Sequence, residues 1–361
     1  MPRPITDPTT LALGLALAAG FVAFLFVGSI LVPGSKQKGA KLADGTRLTY
    51  KLNGLALFLV GAALLAGGTY LGWVDLTVVH EHFWGLFVAA NLFSVALTAI
   101  LYLTAKSERR RGLGGLISDL WYGVDLNPSW LGVDIKMFSY RPSLMGLAVL
   151  NASFAFVQWR ELGELTTQMM LYQAFTFVYV FNYFQFEYGM LYTWDIVAEK
   201  FGFMLVWGDY AFVPFAYSIV GWYLVDHTDP IPTWQAGALI CTFLLGLWIF
   251  RGANQQKHEF KRNRETKIWG KTAETLDGKI LVSGFWGIGR KLNYTGEIMV
   301  YWSFTLLAGD ASIIPYLLPS WLIALLVHRA WRDDKKCRAK YGELWERYCQ
   351  RARFRMIPFL Y

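Results

Sequence analysis

Cysteine is scarce in this chain. Cys241, Cys337 and Cys349 are its three thiols, and their spacing matches neither a disulfide framework nor a zinc site. The five histidines, His80, His82, His227, His258 and His328, are too scattered for a haem or a two-metal centre. Only His80 and His82 lie together, and beside apolar runs they read as a pair at the membrane surface. No metal is expected. Charge is sparse too, at 17% Asp, Glu, Lys and Arg. The chain has no P-loop, no H-E-x-x-H and no G-x-S-x-G, which excludes the NTPase, zincin and α/β-hydrolase templates. The glycine cluster GFWGIG at 284–289 is not in the order G-x-G-x-x-G. No βαβ unit can be drawn around it, so a Rossmann domain is not expected.

Apolar residues fill the space that charge leaves. Of 361 residues, 55% are hydrophobic and 17% aromatic, and mean hydropathy is +0.33. Soluble domains rarely combine such values, and apolar runs of about 18 residues or more can each cross a bilayer as a helix. The candidate spans are Leu11–Val32, Leu55–Trp73, Phe83–Leu103, Leu144–Val157, Met169–Phe186, Phe201–Leu224, Trp234–Phe250, Ile298–Leu307 and Ile313–Val327. The fold class is thus all-α: a polytopic membrane helix bundle of about nine or ten spans. Gly208, Asp209 and Pro214 lie inside the sixth run, which predicts a break there. The run after MPRPITDPTT is too long for a typical signal peptide and reads as the first span.

The net charge of +8 sits in loops at 33–53, in KSERRR at 106–111, at 251–271 and after His328. The connectors at 74–82 and 226–233 carry no Lys or Arg. Positive charge collects on the cytoplasmic side, so with the sixth span crossing once these basic loops and the C-terminal part face the cytoplasm; a split of that span would reverse the N-terminal half. That placement explains the charge better than nucleic acid does. Composition shifts after Phe250, which divides the chain into a transmembrane bundle at 1–250 and a charged lobe at 251–361.

Four segments hold polar groups in unusual places. In HRAWRDDKKCRAKYGELWERYC at 328–349, Asp333, Cys337, Tyr341, Trp345 and Tyr348 recur at helical spacing and would share one stripe. An amphipathic helix at the membrane surface is the plainer alternative, but Asp333 and Cys337 are odd choices for a lipid face and the nearby Gly342 interrupts the helix. In FRGANQQKHEFKRN at 250–263, Lys257 and Lys261 stack on one helix face and could grip a phosphate. Ordinary cytoplasmic charge at a span end is the alternative. LVSGFWGIGRKLNYTGE at 281–297 sets Trp286, Asn293 and Tyr294 among glycines that let backbone approach a flat ligand. TWDIVAEKFGFMLVWGDYAFVPFAYS at 193–218 carries Asp195, Glu199 and Asp209 beside or inside an apolar run. Ionisable groups at membrane depth are expensive and mark function. Asp195 and Glu199 would face one way on a helix, or simply form a solvated helix start.

The tail LLVHRAWRDDKKCRAKYGELWERYCQRARFRMIPFLY resembles the C-terminal signature of the sterol reductase family, roughly LLxHRxxRDxxxCxxKYGxxWxxYCxxVPYRIxPxIY. DLWYGVDLNPSWLGVDIKMF at 119–138 is similar to the family's other signature. Within the family the likeness is strongest to members that reduce the delta(14) bond. It implies NADPH as cofactor, held by Lys257, Lys261, Leu281, Trp286, Asn293, Tyr294, Asp333, Cys337, Tyr341 and Tyr348, with Arg338 and Lys340 nearby. It implies a sterol substrate entering from the bilayer, protonation at C15 and hydride delivery to C14. Asp195, Glu199, Asp209, Tyr179 and Tyr217 are the candidate proton donors. The chain departs from the family in Arg353, Asp334, Lys291 and Glu297. Reduction of a delta(7) or C24(28) bond, a prenylcysteine methyltransferase and a non-catalytic sterol sensor or scaffold are the alternatives. A eukaryotic member would sit in the endoplasmic reticulum and a bacterial one in the inner membrane.

Overall fold

The structure is a computed structural model that describes residue 2 and residues 8–110 and 114–360. Most of MPRPITDPTT, and Arg111 of KSERRR, lie outside the described residues. The chain divides into two compact units, Met1–Thr228 and Asp229–Tyr361.

The first unit contains helices α1 (Pro8–Leu31), α2 (Gly54–Tyr70), α3 (Phe83–Thr104), α4 (Ile135–Leu162), α5 (Thr167–Gln185) and α6 (Phe203–Asp226). Its antiparallel hairpins pair β1 (Ser35–Lys38) with β2 (Thr49–Leu52) and β3 (Ser129–Trp130) with β4 (Val133–Asp134). Leu25, Leu57, Phe138, Leu147 and Val180 form a core where α1, α2, α4 and α5 meet. α1 is apolar on every side, as in a membrane span or the core of a large protein. Phe24, Val27 and Leu31 on its outer surface are exposed. α1 and α3 approach at backbone distance, since a Cβ on Gly14 would lie 2.5 Å from the Gly85 carbonyl carbon. Small residues permit such packing in lipid.

α4 starts where the Asp134 carboxylate accepts from Met137 N at 2.8 Å, an N-cap. It ends at Gly163 with φ +80°. This 28-residue helix contains the short run Leu144–Val157, which extends at both ends. α6 carries the expected irregularity as a π turn at Gly208–Phe212, a feature that re-aims side chains. His80 and His82 are both buried in the protein, and His80 packs edge-on against Phe154 at 6.0 Å. Asp195 and Glu199 share no helix face either. The helix Trp194–Val197 stops before Glu199 because Ala198 turns out of helical geometry.

The second unit contains α7 (Thr233–Arg262), α8 (Leu292–Thr305), α9 (Leu317–Tyr341) and α10 (Glu343–Arg351). Two antiparallel hairpins, β5 (Lys267–Ile268) with β6 (Lys271–Thr272) and β7 (Thr275–Leu276) with β8 (Ile280–Leu281), connect α7 to α8. The compositional shift after Phe250 falls inside α7. Four helices among the described residues are long and apolar enough to cross a membrane: Thr9–Leu31, α3, α6 and α7. The chain is an all-α membrane protein.

α7 and α8 meet through two glycines. A Cβ on Gly296 would lie 2.6 Å from Gly246 O, and one on Gly246 would lie 2.9 Å from Gly296 O. Both obstacles are backbone and cannot rotate away. Gly296→Val should therefore push the helices apart and lower the melting temperature in detergent by at least several degrees. An unchanged melting curve would show that the helices are not in this close register.

Candidate functional site

The last two helices do not form one continuous stripe. Gly342, at φ +53°, ends α9 and starts α10 on a new axis, a conformation glycine adopts without a Cβ penalty. Packing regathers the residues. Trp345 and Tyr348 of α10 join Ile280 and Val282 in one core cluster, with Cys337 and Tyr341 of α9 against it. Tyr341 stacks on Trp345 at 6.5 Å, and Trp345 meets Tyr348 at 5.0 Å. Burial pushes the Tyr348 hydroxyl pKa up, and that hydroxyl donates to Trp286 O at 2.9 Å.

Trp286 leads into the second half of the cluster. Its indole Nε1 donates to Ala253 O at 2.8 Å, while Lys257 Nζ lies 4.4 Å from its ring centroid, a cation–π distance. Leu281 packs with Trp286, Phe260 and Ile268. Asn293 Nδ2 donates to Asn254 Oδ1 at 3.3 Å. Asp333 Oδ2 accepts from Lys291 Nζ at 2.7 Å and from the Tyr294 hydroxyl at 3.4 Å. Burial alone would raise the Asp333 pKa. Lys291, with Arg329 and Lys257, outweighs it and brings the carboxyl below its usual range. Burial raises the Cys337 thiol, against the pull of Lys291 and Lys257.

The remaining predicted positions lie further out. Lys261 is exposed on α7. Arg338 is exposed and pairs with Glu346 at 2.7 Å. Lys340, also exposed, lies 5.1 Å from the Tyr341 ring centroid. Lys291 and Trp345 belong to the cluster but are not among the sequence-predicted site residues. Asp334 is buried between Arg355, at 2.7 Å, and Arg290, at 3.5 Å, and Arg290 Nη1 donates to Ala352 O at 2.8 Å. These contacts tie the end of α10 to the turn before α8.

The proton-donor candidates belong to the first unit. Asp209 is 9% exposed on the π turn of α6. Its neighbour Tyr210 accepts from Ser139 Oγ at 3.0 Å and lines an otherwise apolar cavity of about 270 Å³ with Phe21, Phe93, Pro142, Leu150 and Phe215. Asp195 and Glu199 are half-buried. Between their backbones lies Lys136, a residue sequence reasoning missed. It is 1% exposed, and its ammonium donates to Asp195 O at 2.6 Å, Glu199 O at 2.7 Å and Ile196 O at 3.3 Å. Glu199 Oε1 accepts from Trp194 Nε1 at 2.5 Å. Burial pushes the nearby Asp134 carboxyl up to about 6. Tyr179 and Tyr217 pack, partly buried, against the core of α1, α2, α4 and α5. The Tyr183 hydroxyl, also missed, is buried without a hydrogen-bond partner among the described residues.

A family model described as "Ergosterol biosynthesis ERG4/ERG24 family" matches residues 8–361. The chain belongs to this family. It is 40% identical over 349 residues to the Delta(14)-sterol reductase of Arabidopsis thaliana, covering 94% of each chain. It is 38% identical over 355 residues to the Delta(14)-sterol reductase of Methylotuvimicrobium alcaliphilum, covering 95% of this chain and 83% of that one. To the Delta(14)-sterol reductase erg24 of Schizosaccharomyces pombe it is 38% identical over 340 residues, 91% of this chain and 80% of the relative.

The ERG4/ERG24 relatives are reductases by name, so a nicotinamide cofactor is the group to fit. The second unit offers what such a ligand needs. Lysines serve phosphates, and the Trp286, Tyr341 and Tyr348 rings serve flat surfaces. Asn293 Oδ1 and Trp345 Nε1 are buried with no hydrogen-bond partner among the described residues. An acceptor and a donor left unpaired in an interior are costly until a ligand or water meets them.

Proposed function

We propose that this protein is a delta(14)-sterol reductase that uses NADPH. The observation that carries this reading is the cluster of buried Trp286 and Lys291 with partly buried Lys257, Asn293, Tyr294 and Asp333. It occurs in a chain 40% identical, over 94% of its length, to a protein of that name. Lys257 and Lys261 meet the phosphates. Leu281, Trp286, Asn293 and Tyr294 line the cofactor, and Asp333, Cys337, Tyr341 and Tyr348 complete its site, with Arg338 and Lys340 at the rim. NADPH, when bound, supplies the hydride that ends on C14. The chain's own residues must deliver a proton to C15 and face the positive charge that then develops at C14. Asp195, Glu199, Asp209, Tyr179 and Tyr217 are the groups of the first unit chemically able to do so. The sterol lies in the bilayer before it binds, and the apolar cavity beside Tyr210 suits such a ligand.

The helices too short or too polar to qualify alone, α2, α4, α5, α8 and the start of α9, join the four long apolar helices to make nine spans. In that arrangement the basic C-terminal lobe faces the cytoplasm, where the cofactor is. The membrane is the endoplasmic reticulum in a eukaryotic cell or the inner membrane in a bacterium.

The test is expression in yeast lacking its own sterol C14 reductase, with sterols profiled by gas chromatography–mass spectrometry. Restored growth and loss of delta(8,14)-sterols are expected. Continued accumulation of delta(8,14)-sterols, with folded protein present in the membrane, would overturn the bond assignment.

A further inference from the structure

Lys291 is a buried cation whose partner is itself a candidate cofactor ligand. It is 7% exposed, and its ammonium lies 2.7 Å from Asp333 Oδ2 and 5.7 Å from the Tyr294 ring centroid. The turn that carries it is held from behind. Arg290 N donates to Phe354 O at 3.0 Å, and Arg290 Nη1 donates to Ala352 O and Arg353 O. Lys291 therefore meets Asp333 from a fixed position. The hydrogen bonds to Asp333 from Lys291 and from Tyr294 fall on the same oxygen, Oδ2.

The charge pattern shows what the contact does. Asp333 faces Lys291, Arg329 and Lys257, with Tyr294 and Cys337 also against it. An anionic ligand is attracted by Lys291 and Arg329, and by Lys257 in its charged form, whose pKa burial brings down to about 7, and is repelled by the carboxylate. In a partly dry site that repulsion is several times stronger than in water. A cation fixed at 2.7 Å cancels it locally and fixes the carboxylate's rotamer.

We propose that Lys291 is a positioning residue: it orients Asp333 and neutralises it so that the multiply anionic dinucleotide can bind beside it. This inference rests on the NADPH reading. It adds a residue to the site, and it explains why a lysine is buried immediately before the LNY segment.

The test is a binding titration of the purified full chain in detergent with NADPH, read by energy transfer from tryptophan to the bound nicotinamide. Lys291→Met should raise the Kd about tenfold or more, and Lys291→Arg should stay within a fewfold of the natural chain. Lys291→Met/Asp333→Asn should bind better than the product of the two single effects requires, because each single change leaves a buried charge unpaired. Lys291→His should come closer to the natural chain at low pH and closer to Lys291→Met at high pH, because only the imidazolium carries the charge, with the crossover above the free imidazole value of about 6.5 because Asp333 favours the charged form. The ratio to the natural chain is taken at each pH, so the ligand's own ionisation cancels. Tight binding by the natural chain with additive single effects, or a Lys291→His ratio that ignores pH, overturns the role of Lys291 alone. A natural chain that does not bind NADPH overturns the cofactor reading beneath it.

Discussion

Arg141→Met should cost the first unit about 3–5 kcal/mol of stability, the loss typical of a buried charge stripped of its partner. Arg141 and Glu187 are paired at 3.3 Å with side chains only 4% and 5% exposed. The pair is also a joint. Arg141 Nη2 donates to Lys51 O at 3.2 Å, and Glu187 Oε2 accepts from Gly54 N at 3.0 Å. It thus fastens α4 to the end of β2, the start of α2 and the turn after α5. Burial already holds the Glu187 carboxyl above its usual range, against the pull of Arg141. Without Arg141 that carboxyl rises further. A carboxyl whose folded pKa exceeds its unfolded one, about 4.3, binds more protons folded than unfolded. Its contribution is therefore most favourable at low pH and is lost as pH rises through the folded value. Thermal unfolding in detergent should show Arg141→Met more damaged at pH 8 than at pH 5.5. Arg141→Met/Glu187→Gln should recover most of the loss at both. Equal damage at the two pH values, or a double variant no better than the single, would mean that the ion pair is not what holds this joint.

The membrane class was legible because it depends only on composition and run length. α1, α3, α6 and α7 read directly as apolar segments, and Gly208, Asp209 and Pro214 announced the irregular turn in α6. The polar pairs were not legible. Glu187 meets Gly54 across 133 positions, and Lys291 meets Asp333 across 42, so no local period records either contact. No local pattern singles out Lys136. Only the fold shows that three carbonyls enclose its ammonium. The interruption at Gly342 was legible, and it does turn the chain between two helices, yet the members of the aromatic stripe still meet. The β7–β8 hairpin brings Ile280 against Trp345 and Tyr348 and gives both helices the same surface to cover. His80 and His82 were placed by their neighbours in sequence, whereas Phe154 of α4 encloses His80.

Asp209→Asn should lower kcat by about 10²–10⁴-fold while leaving the NADPH dissociation constant unchanged, the range expected for loss of a general acid. The substitution keeps size and hydrogen-bonding shape but removes the transferable proton. Among the carboxyl candidates Asp209 is the most buried, at 9% exposure. It adjoins Tyr210, which lines the apolar cavity. Glu199 has its carboxylate engaged by the Trp194 indole and is half-exposed. Asp195 is half-exposed too. Groups reached by water donate protons to bulk solvent as readily as to a sterol, so Asp195→Asn and Glu199→Gln should each cost less than tenfold. Tyr179→Phe and Tyr217→Phe complete the set, because either hydroxyl could replace the carboxyl as donor. The measurement is turnover of a delta(8,14)-sterol at saturating NADPH, with the product analysed for solvent deuterium at C15. A kcat within threefold of the natural enzyme in Asp209→Asn removes Asp209 from the mechanism. The largest loss would then fall on Tyr179 or Tyr217, and the buried carboxyl in α6 would be a structural feature of the π turn.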